Sequence, residues 1–153
     1  MKSDIVVRPL READRAAWEP LWDGYNAFYG RKGDTALAPA ITAATWQRFF
    51  DTGEPVFALV AEVDGEVRGL VHYLFHRSTT RIELTCYLQD LFVAETARGR
   101  GVGKVLIEGV YARAEAAGIR RVYWHTHESN AAARRLYDGV ATHGGFVVYS
   151  HDA

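Results

Sequence analysis

The chain carries one cysteine, Cys86, so no disulfide can form within it, and a reducing compartment fits that composition. It also lacks an excess of charge of either sign. Eighteen Lys and Arg stand against nineteen Asp and Glu, for a net charge of −1, which leaves no broad basic face for nucleic acid. No apolar run approaches the roughly 20 residues needed to span a bilayer. The opening Met1 to Pro9 lacks the apolar stretch of a signal peptide. Repeats, low-complexity tracts and linkers are missing too. These absences predict a cytoplasmic protein without nucleic-acid or membrane partners. What is present, 153 residues that are 48% apolar and 24% charged, is enough for one domain over 1–153 with a core that needs no metal or disulfide.

The local patterns alternate between strand and helix. Ile5 to Arg8 is short and β-branched, a first strand that Pro9 ends by removing a donor. Trp18, Leu21, Trp22, Tyr25 and Phe28 recur at helical spacing within Glu12 to Phe28. Ile41 to Phe50 reads as a second helix, with Gly53 and Pro55 beyond its end. Two apolar runs, Val56 to Val63 and Val67 to Phe75, flank Asp64-Gly65, a strong hairpin signal. Glu83 to Val93 reads as another strand. Val102, Val105, Leu106, Gly109 and Val110 then share one helical face, and Gly118 ends that helix. Arg121 to Thr126 is a strand, Asn130 to Val140 a shorter helix, and Phe146 to Tyr149 a last strand. This order predicts an α/β domain with a mixed sheet, the helix after Val93 making a parallel crossover.

The segment with the most chemistry is Arg98-Gly99-Arg100-Gly101-Val102-Gly103-Lys104. Glycines at alternate positions let the backbone turn tightly with its N–H groups converging. A helix starts inside the loop and adds about half a positive charge. Arg98, Arg100 and Lys104 add three cations. Together they suit a pyrophosphate, although a Gly-rich turn with solvated arginines has the same composition. The spacing fails the P-loop pattern, because Gly99 and Gly103 enclose three residues and Lys104 precedes Val105. It also fails GxGxxG by one place. A nucleotide-binding regulatory domain therefore ranks last among the readings.

This loop resembles the Q/R-x-x-G-x-G/A signature of the GNAT superfamily of N-acetyltransferases. Gln89 to Val93 sits where that family has its fourth strand, and Asn130 with Arg135-Leu136-Tyr137 resembles its N-x-x-(A/S)-x-x-(F/L)-Y element. The resemblance covers roughly the last 100 residues and is nearest to the histone, polyamine and D-amino-acid acetyltransferase branches. It implies a mainly antiparallel mixed sheet with helices on both faces. It also implies acetyl-CoA as cosubstrate, no metal, a primary amine on a small molecule or peptide as acceptor, and a possible homodimer. By the same resemblance, Leu91, Phe92 and Val93 would pair with the pantetheine arm, and the Val93 N–H would stabilise the oxyanion. The amides of Gly99, Arg100, Gly101, Val102, Gly103 and Lys104 would hold the pyrophosphate beside Arg98, Asn130 would contact the pantetheine, and Tyr137 would protonate the departing thiolate.

The base is less plain. A lysine-like amine is unprotonated in only on the order of one molecule in a thousand at neutral pH, so something must take its proton. Diamine acetyltransferases carry a glutamate where this chain has Gln89, which leaves Asp90 first and Glu83 second among nearby carboxylates. That substitution also admits a weakly catalytic acyl-CoA-binding module as the alternative. His125-x-His127 lacks a third metal ligand at sensible spacing, and His72 and His76 show no partner in the sequence. Cys86 reads as a small buried hydrophobe. Tyr25, Tyr29 and Asp23, on the helix that often walls the acceptor site in this family, are possible substrate contacts.

Overall fold

The computed structural model describes residues 4–153; Met1 to Ser3, where the segment read for a leader begins, lie outside the described residues. The elements are β1 (Ile5–Pro9), α1 (Arg15–Phe28), α2 (Pro39–Phe49), β2 (Val56–Val63), β3 (Glu66–His76), β4 (Thr85–Val93), α3 (Val102–Ala116), β5 (Val122–Tyr123) and α4 (Ala131–Asp138). The sheet runs in chain order, β1-β2-β3-β4-β5. The first three pairings are antiparallel, and β4–β5 is parallel, as the crossover through α3 requires. Asp64 and Gly65 both adopt positive φ, 53° and 86°, the twist that joins β2 to β3 in a two-residue turn. Among the described residues no helix is long and apolar enough to cross a membrane.

Two cores sandwich the sheet. Leu59, Val71, Leu106, Ile107 and Val110 are buried under α3, with Leu136 and Tyr137 of α4 packed against them. On the opposite face Trp18, Trp22, Trp46, Val60 and Leu70 are buried under α1 and α2. Burying such side chains stabilises each layer by about 1.5–3 kcal/mol per residue.

One irregularity decides what faces what. Tyr73 pairs with Leu88 but His72 pairs with Asp90, so Gln89 is an extra residue in β4. Such a bulge inverts the side-chain alternation beyond it. Cys86 and Leu88 face α3, whereas Asp90 and Phe92 face α1.

The expected last strand is a correction. Residues 142–153 form no helix or strand, and Phe146 to Tyr149 are exposed, Phe146 at 86% and Tyr149 at 92%. Their β-branched and aromatic composition makes a good strand, but a strand needs a partner edge, and none among the described residues pairs with them. Arg121 to Thr126 is likewise shorter than expected, pairing only at Val122 and Tyr123.

Candidate active site

The short pairing of β5 builds the site. Cys86 pairs with Val122 and Tyr87 with Tyr123, and there the ladder ends. From Leu88 to Val93 the β5 side of β4 is open. The Ala94 N–H donates to Arg68 O on the β3 side at 2.7 Å, and Phe92 O lies beside Gly69. Backbone groups alternate along a strand, so the N–H and C=O groups of Leu91 and Val93 point into the opening. Val93 O accepts there from Arg98 Nε at 3.1 Å.

The Gly-rich loop lies at the end of this opening. Gly99 and Gly101 have φ of 78° and 81°, a region nearly closed to residues with a Cβ. Gly101 is the N-cap of α3 and no side chain caps that helix. The first amide of α3 to return a hydrogen bond to the loop is that of Val105, to Gly101 O, which leaves the helix N-terminus to a ligand. Arg98 is partly committed, its guanidinium 5.5 Å over the Phe92 ring. Arg100 lies 3.7 Å from Asp64, and Lys104 lies 3.9 Å from Glu108, both exposed pairs that solvent weakens.

On the α1 face a buried polar chain underlies the opening. The Trp18 indole N–H donates to His72 Nε2 at 3.0 Å, and His72 Nδ1 lies 2.9 Å from Asp90 Oδ2. Indole is a donor only. Nε2 therefore carries no proton, and the Nδ1–H donates to Asp90. His72 is 3% exposed and Asp90 7%, and the rings of Trp18, Trp22 and Phe49 surround the imidazole at 4.7–6.0 Å. The Tyr25 hydroxyl lies beside the same carboxylate, and burial first, then the Asp90 charge, pushes that phenol well up, so it stays a donor. His72 thus has two partners where the sequence shows none, because they sit 54 and 18 positions away.

The remaining expected residues have partners of their own. Tyr137 packs edge-to-face on Trp124 at 5.4 Å, and its hydroxyl bonds to none of the described residues. Burial, and secondarily Tyr29, pushes its phenol up. The Asn130 carbonyl oxygen caps α4 through the Ala133 N–H at 3.3 Å. Asn130 also lines, with Phe28, Tyr29, His127 and Ser129, a cavity of about 400 Å³ between the end of α1 and the β5–α4 loop. Glu83 lies before β4, half-buried and 3.3 Å from Arg81. His125 Nδ1 pairs with the Tyr87 hydroxyl at 3.3 Å. Cys86 is buried, which pushes its thiol up to about 12 and leaves it inert.

These features have relatives. The chain is 36% identical to the D-amino-acid N-acetyltransferase HPA3 of Saccharomyces cerevisiae over 97% of its own length and 91% of that protein. It is 31% identical to the uncharacterized N-acetyltransferase YhfO of Bacillus subtilis, over 94% of each. Its fold matches the aminoglycoside acetyltransferase AAC(6')-Iy, solved with a CoA bisubstrate analogue, at a TM-score of 0.79 and 18% identity, over 99% of each chain. A splayed β4–β5 pair over an uncapped helix end is thus accompanied by a match of residues 16–139 to the acetyltransferase (GNAT) family model, and the chain belongs to that family of acetyltransferases.

Proposed function

We propose that this chain transfers the acetyl group of acetyl-CoA to a primary amine by direct attack in a ternary complex. The observation that carries the reading is the opening itself: inward-facing amides of Leu91 and Val93 lead to an uncapped helix N-terminus at one end. The residues present fit the cosubstrate, because an extended arm can add to the free β4 edge while a diphosphate takes the loop amides. Acetyl-CoA supplies an acetyl group activated as a thioester. Leu91 to Val93 orient the arm, the Val93 N–H donates to the oxygen on which charge develops, and Gly99 to Lys104 with Arg98 hold the phosphates. The Asn130 amide N–H, left over from capping, serves the arm. Asp90 takes the proton of the incoming ammonium, directly or through water, and Tyr137 returns one to the leaving thiolate. A free amino acid leads the candidate acceptors, since HPA3 acts on D-amino acids; polyamines, aminoglycosides and lysine peptides follow. The test is thiol release from acetyl-CoA across those amine classes. Turnover on at least one is expected. Cofactor binding without turnover on any would instead make the chain an acyl-CoA-binding module.

We also infer a homodimer. Phe146, Val147, Val148 and Tyr149 expose four large apolar side chains in succession, a stretch that water disfavours and an unpaired strand edge accommodates. Light scattering at tens of micromolar should give twice the 17.1 kDa chain mass, and Val147→Asp should give the monomer. A monomeric wild type ends this inference.

A further inference from the structure

Arg31 does nothing in the scheme above, yet it is held with unusual care. Helix α1 ends in a Schellman turn: the Gly30 N–H bonds to Ala27 O at 3.0 Å and the Arg31 N–H to Asn26 O at 2.8 Å. Gly30, at φ 81°, makes that reversal possible. The turn brings the Arg31 side chain back along the helix. Its Nε donates to Asn26 Oδ1 at 2.6 Å. Asn26 is itself 3% exposed and anchored through Nδ2 to Trp22 O at 2.9 Å. The guanidinium lies 5.9 Å from the ring centre of Tyr25 and 5.7 Å from that of Tyr29.

A cation at a helix C-terminus needs no such support, since a solvated lysine serves the dipole equally. Here a buried amide fixes the guanidinium by Nε alone. Neither terminal nitrogen has an acceptor among the described residues, and no carboxylate pairs with it. An arginine locked in this way presents its outer edge as a two-pronged donor, the geometry that carboxylates take. Its position matters as much. Tyr25 carries Arg31 over its face and Asp90 beside its hydroxyl, and Tyr29 lines the cavity between the end of α1 and the β5–α4 loop. One tyrosine ring therefore separates a fixed cation from the carboxylate that receives the acceptor's proton.

We propose that Arg31 binds the carboxylate of a free amino acid whose amine lies at Asp90, and so sets the acceptor class. This rests on the acetyltransfer reading above. A polyamine or a lysine side chain has no carboxylate to offer and meets a like charge at Arg31. The assignment depends on the zwitterion and not on which hand the side chain takes.

The test compares D- and L-amino acids with their amides, which keep the amine and lose the negative charge. Wild type, Arg31→Gln and Arg31→Lys are assayed for acetyl-CoA consumption. Binding of the same compounds to coenzyme A-loaded protein is followed by calorimetry, so that a readout exists without turnover. For wild type, kcat/KM for the acid should exceed that for its amide. Arg31→Gln should lower kcat/KM for the acid about 30-fold, mainly through KM, as loss of a charged hydrogen bond predicts, and change the amide less than about threefold. Arg31→Lys should recover part of the loss, because a point charge replaces the fork. An equal loss on acid and amide would make Arg31 structural, and no loss on either would make it irrelevant; both overturn the proposal while acetyltransfer stands. Turnover on no amine, with no acid binding by calorimetry, would remove the proposal together with the reading beneath it.

Discussion

Asp90→Asn is expected to lower kcat/KM for amine acetylation by about a hundred- to ten-thousandfold, the range for loss of a positioned base, with acetyl-CoA affinity unchanged. Asparagine keeps the shape and can still accept the His72 Nδ1–H, which lies 2.9 Å from the native oxygen. It cannot take a proton. His72→Leu tests how the carboxylate is held. Leucine keeps an apolar side chain among the surrounding aromatic rings but removes both the hydrogen bond to Asp90 and the acceptor of the Trp18 N–H, so kcat for amine acetylation should fall while acetyl-CoA affinity stays unchanged. Unchanged kcat in His72→Leu would mean that the histidine only packs. Full activity in Asp90→Asn would hand the proton to bulk water.

Much of this could be read in advance where the signal is local. Asp64-Gly65 needs two positive φ angles and has them. The alternate glycines before α3 require a tight turn, and two of them adopt the left-handed region. The apolar periods of α1 and α3 give most of their buried faces, Trp18, Leu21 and Trp22 in one and Val102, Leu106 and Val110 in the other, since periodicity is itself the imprint of one-sided burial; Phe28 at the end of α1 is 63% exposed instead. What escaped was set by long-range pairing. Asp90 is two places from Leu88, and simple alternation would put both on one face. The bulge at Gln89 turns Asp90 to α1 instead, and nothing in Leu88-Gln89-Asp90 marks the extra residue. His72 looked partnerless because Trp18 and Asp90 reach it only once α1 lies on the sheet. Arg31 lies inside the turn-rich stretch Gly30 to Pro39 and carries no pattern, so its anchor on Asn26 is invisible in the sequence. Phe146 to Tyr149 failed for the opposite reason: local preference was clear, but pairing is a property of two strands.

Tyr137→Phe is expected to lower kcat about a hundredfold and leave the dissociation constant of coenzyme A within about threefold. The ring's contact with Trp124, at 5.4 Å, and its packing against the α3 core survive the change, so folding and the walls of the opening should persist. Only the hydroxyl goes, and it bonds to none of the described residues, so no internal partner is stranded by its loss. Its phenol is pushed up, chiefly by burial, which keeps it protonated at neutral pH and therefore a donor. A thiol's pKa near 8.5 makes the thiolate a fair leaving group unaided, which is why the expected loss sits at the low end for general acids. The direction of the shift gives a second reading. An acid must be protonated to act, so kcat that depends on Tyr137 falls only as pH rises past the ordinary tyrosine value of about 10. Wild type should hold its rate up to that region. An alkaline limb well below it that survives in Tyr137→Phe would belong to another group. An unchanged kcat in the variant would leave the thiolate to be protonated by water and reduce Tyr137 to packing.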